Sequence, residues 1–369
     1  MAPIPTEQLL TDTGLYRSSD TMRALLARIH ATATRAWNIM EVCGGQTFTL
    51  SRYRLEELLP EGVRMIHGPG CPVCVTPEDV IDTAITLAMR PDVMLCSFGD
   101  MLRVPGTRGS LLRAKAQGAD VRLLYSPLEA LALARSNPDR QVVFLAIGFE
   151  TTTPIYALMA KQAKALGLDN LSLLTSLYTV PAAVRAIAAD PECRVDALLA
   201  AGHVCAITGL LPYRELAREL NIPVVVTGFE PVDMLYGIYH AVRMLESGEA
   251  DVYNAYGRAV AEDGNPQALA DIEATTVLAD TVWRGIGTIP MSGRRLNADY
   301  EHYDAAKRFN INQCARTHST RCIAARIMKG NALPADCPCF GRDCTPQSPV
   351  GAPMVSSEGV CAAHYRYNH

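Results

Sequence analysis

Short apolar runs separated by amphipathic stretches set the rhythm of this chain. WNIMEV, RMIHG, VMLCSFG and VRLLYS predict strands near residues 37 to 42, 64 to 68, 93 to 99 and 121 to 126, with helical segments between them. The alternation then repeats, with QVVFLAIGFE, LSLLTSLY, ALLAAGHV and PVVVTGFE predicting strands near 141 to 150, 171 to 178, 197 to 204 and 223 to 230. Strands this apolar suit parallel sheets covered on both faces, so two four-strand sets imply two similar α/β domains around a cleft, residues 37–136 and 137–250. Ahead of them, segment 1–36 carries Met22, Leu25, Leu26 and Ile29 at helical spacing, with Asp20 as the expected cap. Past residue 250 the rhythm stops. A polar stretch, a hairpin around TVLADTVWRGIGTIP and a tail with six of the twelve cysteines are expected to form a smaller third unit, 251–369.

Ligands of parallel α/β sheets bind at the carboxyl ends of the strands. The loops expected at one such rim are 41–49, the cysteine loop near residue 70, and 97–106. The second rim takes 148–154, Gly202-His203 and 228–233. The cysteine loop reads His67-Gly-Pro-Gly-Cys71-Pro-Val-Cys74-Val75. Pro69 and Pro72 restrict φ, while Gly68 and Gly70 permit conformations closed to other residues, so the segment reads as a shaped turn. Thr76-Pro77-Glu78-Asp79 then starts a helix, which places Cys74 just before a positive dipole end that favours a thiolate. Two nearby cysteines can also be buried and inert, or form half of a zinc site.

Composition narrows the classes. The 369 residues are 49% hydrophobic and 20% charged, enough for two or three packed domains. A net charge of -4 and a pI near 6.1 give no basic excess, which argues against nucleic acid or an acidic membrane surface as the main partner. The first residues lack a basic segment followed by an apolar run, and no uninterrupted apolar stretch of about 18 residues occurs, so a cytoplasmic protein is expected. Thiols stay reduced in that compartment, and twelve cysteines there point to metal ligation or redox chemistry. No GxxxxGK[ST] occurs, which disfavours a self-contained nucleotide hydrolase.

In the tail, Cys322, Cys337, Cys339, Cys344 and Cys361 crowd among prolines and glycines that let thiolates converge from loops. Structural zinc usually draws on two tight pairs. Cys322, Cys344 and Cys361 each stand alone, so an iron-sulfur cluster is better supported than zinc.

MEVCGGQT at 40 to 47, HGPGCPVCV at 67 to 75, SFGDMLRVPG at 97 to 106, GFETTTP at 148 to 154, GFEP at 228 to 231, and CFGRDCTP and VSSEGVCAA in the tail occur in one order along nearly the whole chain. Together they closely resemble the HypD family of hydrogenase maturation factors. The resemblance implies a scaffold for the iron centre with one CO and two cyanide ligands of nickel-iron hydrogenases. It implies a complex with a HypC-like chaperone and delivery of cyanide by a HypE-like donor. The implied fold is two similar α/β domains plus a third carrying a 4Fe-4S cluster. Matched by motif, Cys43 holds the nascent iron together with a cysteine of the chaperone, and Cys71 and Cys74 are the redox-active pair. Cys322, Cys337, Cys344 and Cys361 match the cluster ligands, which leaves Cys339 and Cys314 as spare thiols. Asp100, Glu150, His203, Glu230 and Asp233 fall in matched motifs, where a site role and a cap or loop-stabilising role stand equally open. One departure matters. The family usually has CGGHTH, and here Gln46 and Phe48 replace the two histidines, so the first position can hydrogen-bond but cannot titrate. Two rival readings remain at this stage. One is an oxidoreductase that uses cluster and dithiol on a small substrate. The other is a zinc-stabilised α/β binding protein, separable by metal analysis.

Overall fold

The computed structural model describes residues 13–311 and 321–367; Cys314 lies outside them. Eleven strands run in chain order: β1 Trp37–Glu41, β2 Val63–His67, β3 Val93–Ser97, β4 Val121–Leu123, β5 Gln141–Gly148, β6 Leu171–Tyr178, β7 Ala197–Ala201, β8 Val224–Thr227, β9 Val252–Asn254, β10 Thr276–Trp283 and β11 Gly287–Leu296. The eight strands predicted from apolar runs are all present, within a few residues at their carboxyl ends. The α/β class holds: β2-β1-β7-β8-β9 is wholly parallel, and β6-β5-β3-β4 is the parallel part of a second sheet.

The sheets divide the chain differently from the expected order. The chain lays down β1 and β2, crosses to build β3 to β6 of the second sheet, and returns for β7 to β9 of the first. Neither 136/137 nor 250/251 therefore marks a sheet boundary. The hairpin β10–β11 is not part of the tail unit; it extends the second sheet as its antiparallel edge, β11 pairing with β6. Apolar periodicity specifies that a segment is a buried strand but not which buried strand it pairs with. The loop at 97–106 consequently belongs to the second sheet and does not share the rim of the first two.

Helices cover both sheets. Ser19–Thr32 buries Leu25 and Ile29 against Pro231–Ser247 on one face of the first sheet. Its N-cap is Ser18, whose Oγ accepts from Thr21 N at 3.4 Å; Asp20 lies in the first turn and pairs with Arg23. On the other face of that sheet, Val180–Ala188 and Leu211–Leu220 pack with Tyr178 and Trp283 of the second, so one apolar core joins the two sheets.

The cysteine-rich tail is stitched across both units. Arg103 Nη2 donates to Val355 O at 2.6 Å from the second sheet, and Lys329 pairs with Asp190 at 3.0 Å. The helix Val360–Tyr367 lies on Gly44–Arg52 beside the first. Among the described residues no helix is long and apolar enough to cross a membrane.

Candidate functional site

Strand β1 ends in Glu41, and the chain turns through Val42 and Cys43 into the helix Gly44–Arg52. Cys43 is the N-cap: its Sγ accepts from Gly45 N at 3.3 Å, and its own N–H donates to Glu41 Oε2 at 2.8 Å. Burial pushes the Cys43 thiol up to about 12, helped by the negative charge of Glu41 and opposed by the amides of Gln46 and Gly45. Both ring nitrogens of His203, at the carboxyl end of β7, lie 3.9 Å from the sulfur. Burial holds that imidazole down to about 4, so it is neutral at pH 7. The thiol opens on a cavity of about 410 Å³ with Phe48, Phe229, Arg17, Arg52 and Glu358 in its wall.

A buried ion group lies beneath. Glu41 is fully buried, with Thr47 Oγ1 donating to its Oε1. His67 Nδ1 sits 2.7 Å from the same oxygen, and its Nε2 is 3.1 Å from Glu56 Oε1. Burial alone would lower the His67 affinity for a proton. Glu56 and Glu41 together outweigh that and raise it to about 10, so the imidazolium persists between two carboxylates.

The cysteine loop is bonded directly to this turn. Gly44 N donates to Gly70 O at 3.0 Å, and Gly68 N to Glu41 O at 2.8 Å. Neither glycine has positive φ; each is needed because a Cβ would overlap backbone, that of Val42 and Cys43 for Gly70 and that of Glu41 for Gly68. Cys71 and Cys74 form a disulfide, with Cα atoms 5.2 Å apart. The expected dipole placement shifts by one residue of the pair. Cys71 caps the single turn Pro72–Val75 and its Sγ accepts from Cys74 N at 3.2 Å. Thr76 does not cap the next helix, Glu78–Ala88, because its hydroxyl donates back to Pro72 O at 2.8 Å.

Cys74 faces a cavity of about 110 Å³ whose wall also contains Glu78, Arg284, Cys322, Met328 and Pro353. Beyond it lie the tail thiols. Cys361 is pushed well above the ordinary thiol range by burial and then by the negative charges of Cys322, Cys344 and Cys337; Cys322 responds to burial and to Cys337 and Cys344. Cys339, buried, is raised by burial and by Cys337 and Cys344, and it packs in one apolar cluster with Cys344 and Cys361. Among the described residues no three or more His, Cys, Asp or Glu side chains are drawn together as a cage for a single ion. Of the matched thiols, Cys337, Cys344 and Cys361 share one apolar cluster with Cys339, Ile327 and Met354, while Cys322 packs against the core that joins the two sheets. All four are thiols, the donor set an iron-sulfur cluster takes. Val350 N donates to Cys344 Sγ at 3.3 Å, the type of amide contact that supports a charged sulfur.

The remaining motif residues divide. Glu230 and Asp233 form a capping box for Pro231–Ser247; Glu230 also takes a two-pronged bond from Arg17 at the cavity rim, and Asp233 pairs with Arg258 at 2.6 Å. Glu150 accepts from Val180 N at 2.9 Å at the start of a helix, its other oxygen lacks a partner, and burial raises it to about 7. Asp100 lies 3.5 Å from Arg103 and lines none of the thiol cavities. Gln46 points away from Cys43: its Nε2 donates to Thr227 Oγ1 at 2.8 Å and Ala200 O at 3.4 Å, tying the helix to two strand ends. Phe48 meets Tyr367 edge-on at 5.7 Å. The sequence reading missed Glu41, Glu56 and Arg284. Glu41 had a signal, a carboxylate at the end of an otherwise apolar strand.

A family model described as Hydrogenase formation hypA family, HypD, matches residues 20–368. The "Hydrogenase maturation factor HypD" of Rhizobium leguminosarum bv. viciae is 46% identical over 362 residues, spanning 95% of this chain and 94% of its own length. Proteins of the same name from Azotobacter vinelandii and Escherichia coli are 46% and 44% identical, spanning 95% and 94% of this chain and 95% and 93% of their own lengths.

Two outcomes follow from the geometry. Because folding raises His67 from about 6.5 to about 10, the folded state binds its proton more tightly. The stabilisation is then complete below about pH 6.5 and disappears as pH rises through about 10. His67→Gln should cost roughly 3–5 kcal/mol at pH 6 and distinctly less at pH 10, read from urea midpoints; an equal loss at both would contradict the charged pair. For the tail, alanine at Cys322, Cys337, Cys344 or Cys361 should lower bound iron and acid-labile sulfide after anaerobic reconstitution, while Cys339→Ala should not. An empty Cys339→Ala protein beside a full Cys337→Ala protein would reverse the assignment.

Proposed function

The chain belongs to the HypD family of hydrogenase maturation factors, and from that premise we propose that it is the scaffold on which the Fe(CN)2CO unit of nickel-iron hydrogenases is assembled. The iron is cargo, bound at Cys43 and passed on. The observation that carries this reading is a continuous seam: Cys43 is bonded through Gly44 to the Cys71–Cys74 loop, and Cys74 shares a cavity wall with Cys322 of the tail.

Each part has a chemical role in this reading. A thiol held up near 12 keeps its proton until a metal cation displaces it into the open cavity, and the His203 imidazole 3.9 Å away, held neutral by burial, adds no positive charge that would repel that cation. Thiolate suits an iron that also carries CO and cyanide. The open cavity at Cys43, with aromatic and arginine walls, leaves room for a HypC-like chaperone to bring a second cysteine and for a HypE-like donor to deliver cyanide. Cys71 and Cys74 exchange two electrons as disulfide and dithiol. Cys322, Cys337, Cys344 and Cys361 would hold a 4Fe-4S cluster, which supplies one-electron storage when bound.

Complex formation tests the docking directly. Alkylation of Cys43 should slow at least about tenfold when a HypC-like chaperone binds, which corresponds to about 1.4 kcal/mol of added protection. A Cys43→Ser protein should fail to mature hydrogenase. A chaperone that binds without changing Cys43 reactivity would place the iron elsewhere.

A further inference from the structure

The turn between β10 and β11 presents a residue that neither the sheet nor the thiol motifs require. Trp283 anchors the turn: fully buried, its ring lies 4.8 Å from Tyr178 and 5.9 Å from Phe149, and its Nε1 donates to Ser292 Oγ at 2.8 Å. This fixes Arg284 against the cysteine loop. The Arg284 backbone N–H donates to Val75 O at 2.7 Å, next to Cys74, and its Nη2 donates to Glu78 Oε1 at 2.8 Å and Pro105 O at 2.9 Å. Its Nη1 is buried without a partner. Arg284 and Cys74 line the same small cavity, which Cys71 does not reach; Cys74 also lines a second cavity with Cys71, Gly44 and Glu358, and Arg284 is not in its wall.

A guanidinium keeps its charge and offers donors in a fixed plane, and a buried donor without an acceptor is unfavourable. The neighbouring chemistry can create that acceptor. A disulfide is neutral, but its reduction leaves sulfur able to carry negative charge. We propose that Arg284 sets the redox poise of the Cys71–Cys74 pair, its Nη1 taking the Cys74 thiolate as acceptor once the disulfide is reduced. This rests on the reading of the pair as a redox couple.

In the step, the S–S bond breaks and two electrons enter from two reductant thiols, which become a disulfide and release two protons. Cys71 Sγ takes one proton, the other goes to solvent, and Cys74 Sγ stays anionic beside the guanidinium. Stabilising the reduced form raises the reduction potential. Glu78 acts in the opposite sense, since its carboxylate lies in the same cavity wall and repels a thiolate there. Opposite effects at two paired residues are not expected of packing alone.

The full-length protein, equilibrated in glutathione redox buffers at pH 7, alkylated and analysed by mass for the peptide containing residues 71–74, gives the potential directly. Arg284→Met should disfavour reduction about tenfold, a potential about 30 mV more negative, and slow Cys74 alkylation by a similar factor with Cys71 unchanged. Arg284→Lys should shift less, and Glu78→Gln should move the potential the other way. Equal potentials in wild type, Arg284→Met and Glu78→Gln overturn the assignment, as do shifts of one sign in both. If Arg284→Met does not fold, Glu78→Gln and Arg284→Lys still decide by sign. A wild-type pair that is never reduced across the buffer range overturns the redox reading itself and this assignment with it.

Discussion

Two backbone hydrogen bonds, Gly44 N to Gly70 O and Gly68 N to Glu41 O, decide how the thiols of this protein are arranged. They hold the loop after β1 against the loop after β2, adjacent parallel strands whose carboxyl ends meet at one edge. The contact is so close that the atoms a side chain would strike are backbone, which cannot swing aside. Cys43 and the Cys71–Cys74 pair are therefore held beside one another by the main chain, and their relation does not depend on side-chain rotamers. The tail helix Val360–Tyr367 then packs on Gly44–Arg52, carrying Cys361 toward the same place.

The charges beneath the loops reinforce this arrangement. Glu41 holds the Cys43 amide and the His67 ring at once, so the end of β1, the end of β2 and the start of the helix share one carboxylate. Burial penalises the His67 imidazolium and the two carboxylates together offset that penalty, which ties the local fold to the presence of all three partners. Burial above this group keeps Cys43 protonated and His203 neutral. A thiol in this state is a poor nucleophile toward passing electrophiles but a good ligand for a cation that can displace its proton.

The strands, the thiol loops and the irregular cysteine-rich tail were legible in the sequence because each depends on local pattern: apolar runs for buried strands, proline and glycine for shaped turns, and their crowding among cysteines for a tail built largely from loops. The pairing of β1 and β2 with β7 to β9 was not, since apolar strands occur in both sheets and nothing local distinguishes partners. The hairpin β10–β11 was visible as a hairpin but not as the element that brings Arg284 to Cys74, a meeting of residues far apart in the chain. Gln46, where the family usually has a histidine, was expected to hydrogen-bond without titrating. Its side chain bridges Ala200 and Thr227, a positional role that an amide fills. His67 stood in the most conspicuous motif, yet its partners Glu41 and Glu56 come from other elements and carry no spacing signal of their own.

The central claim is that Cys43 holds an iron bearing CO and cyanide. Infrared spectroscopy of the protein purified anaerobically with a HypC-like chaperone tests it most directly, because bound CO and cyanide stretch in a region where protein does not absorb. The account predicts one CO band and two cyanide bands, present with Cys43 and absent from Cys43→Ser at equal cluster iron. The same bands in the Cys43→Ser protein, or none in the wild-type complex from cells that make active hydrogenase, would contradict it.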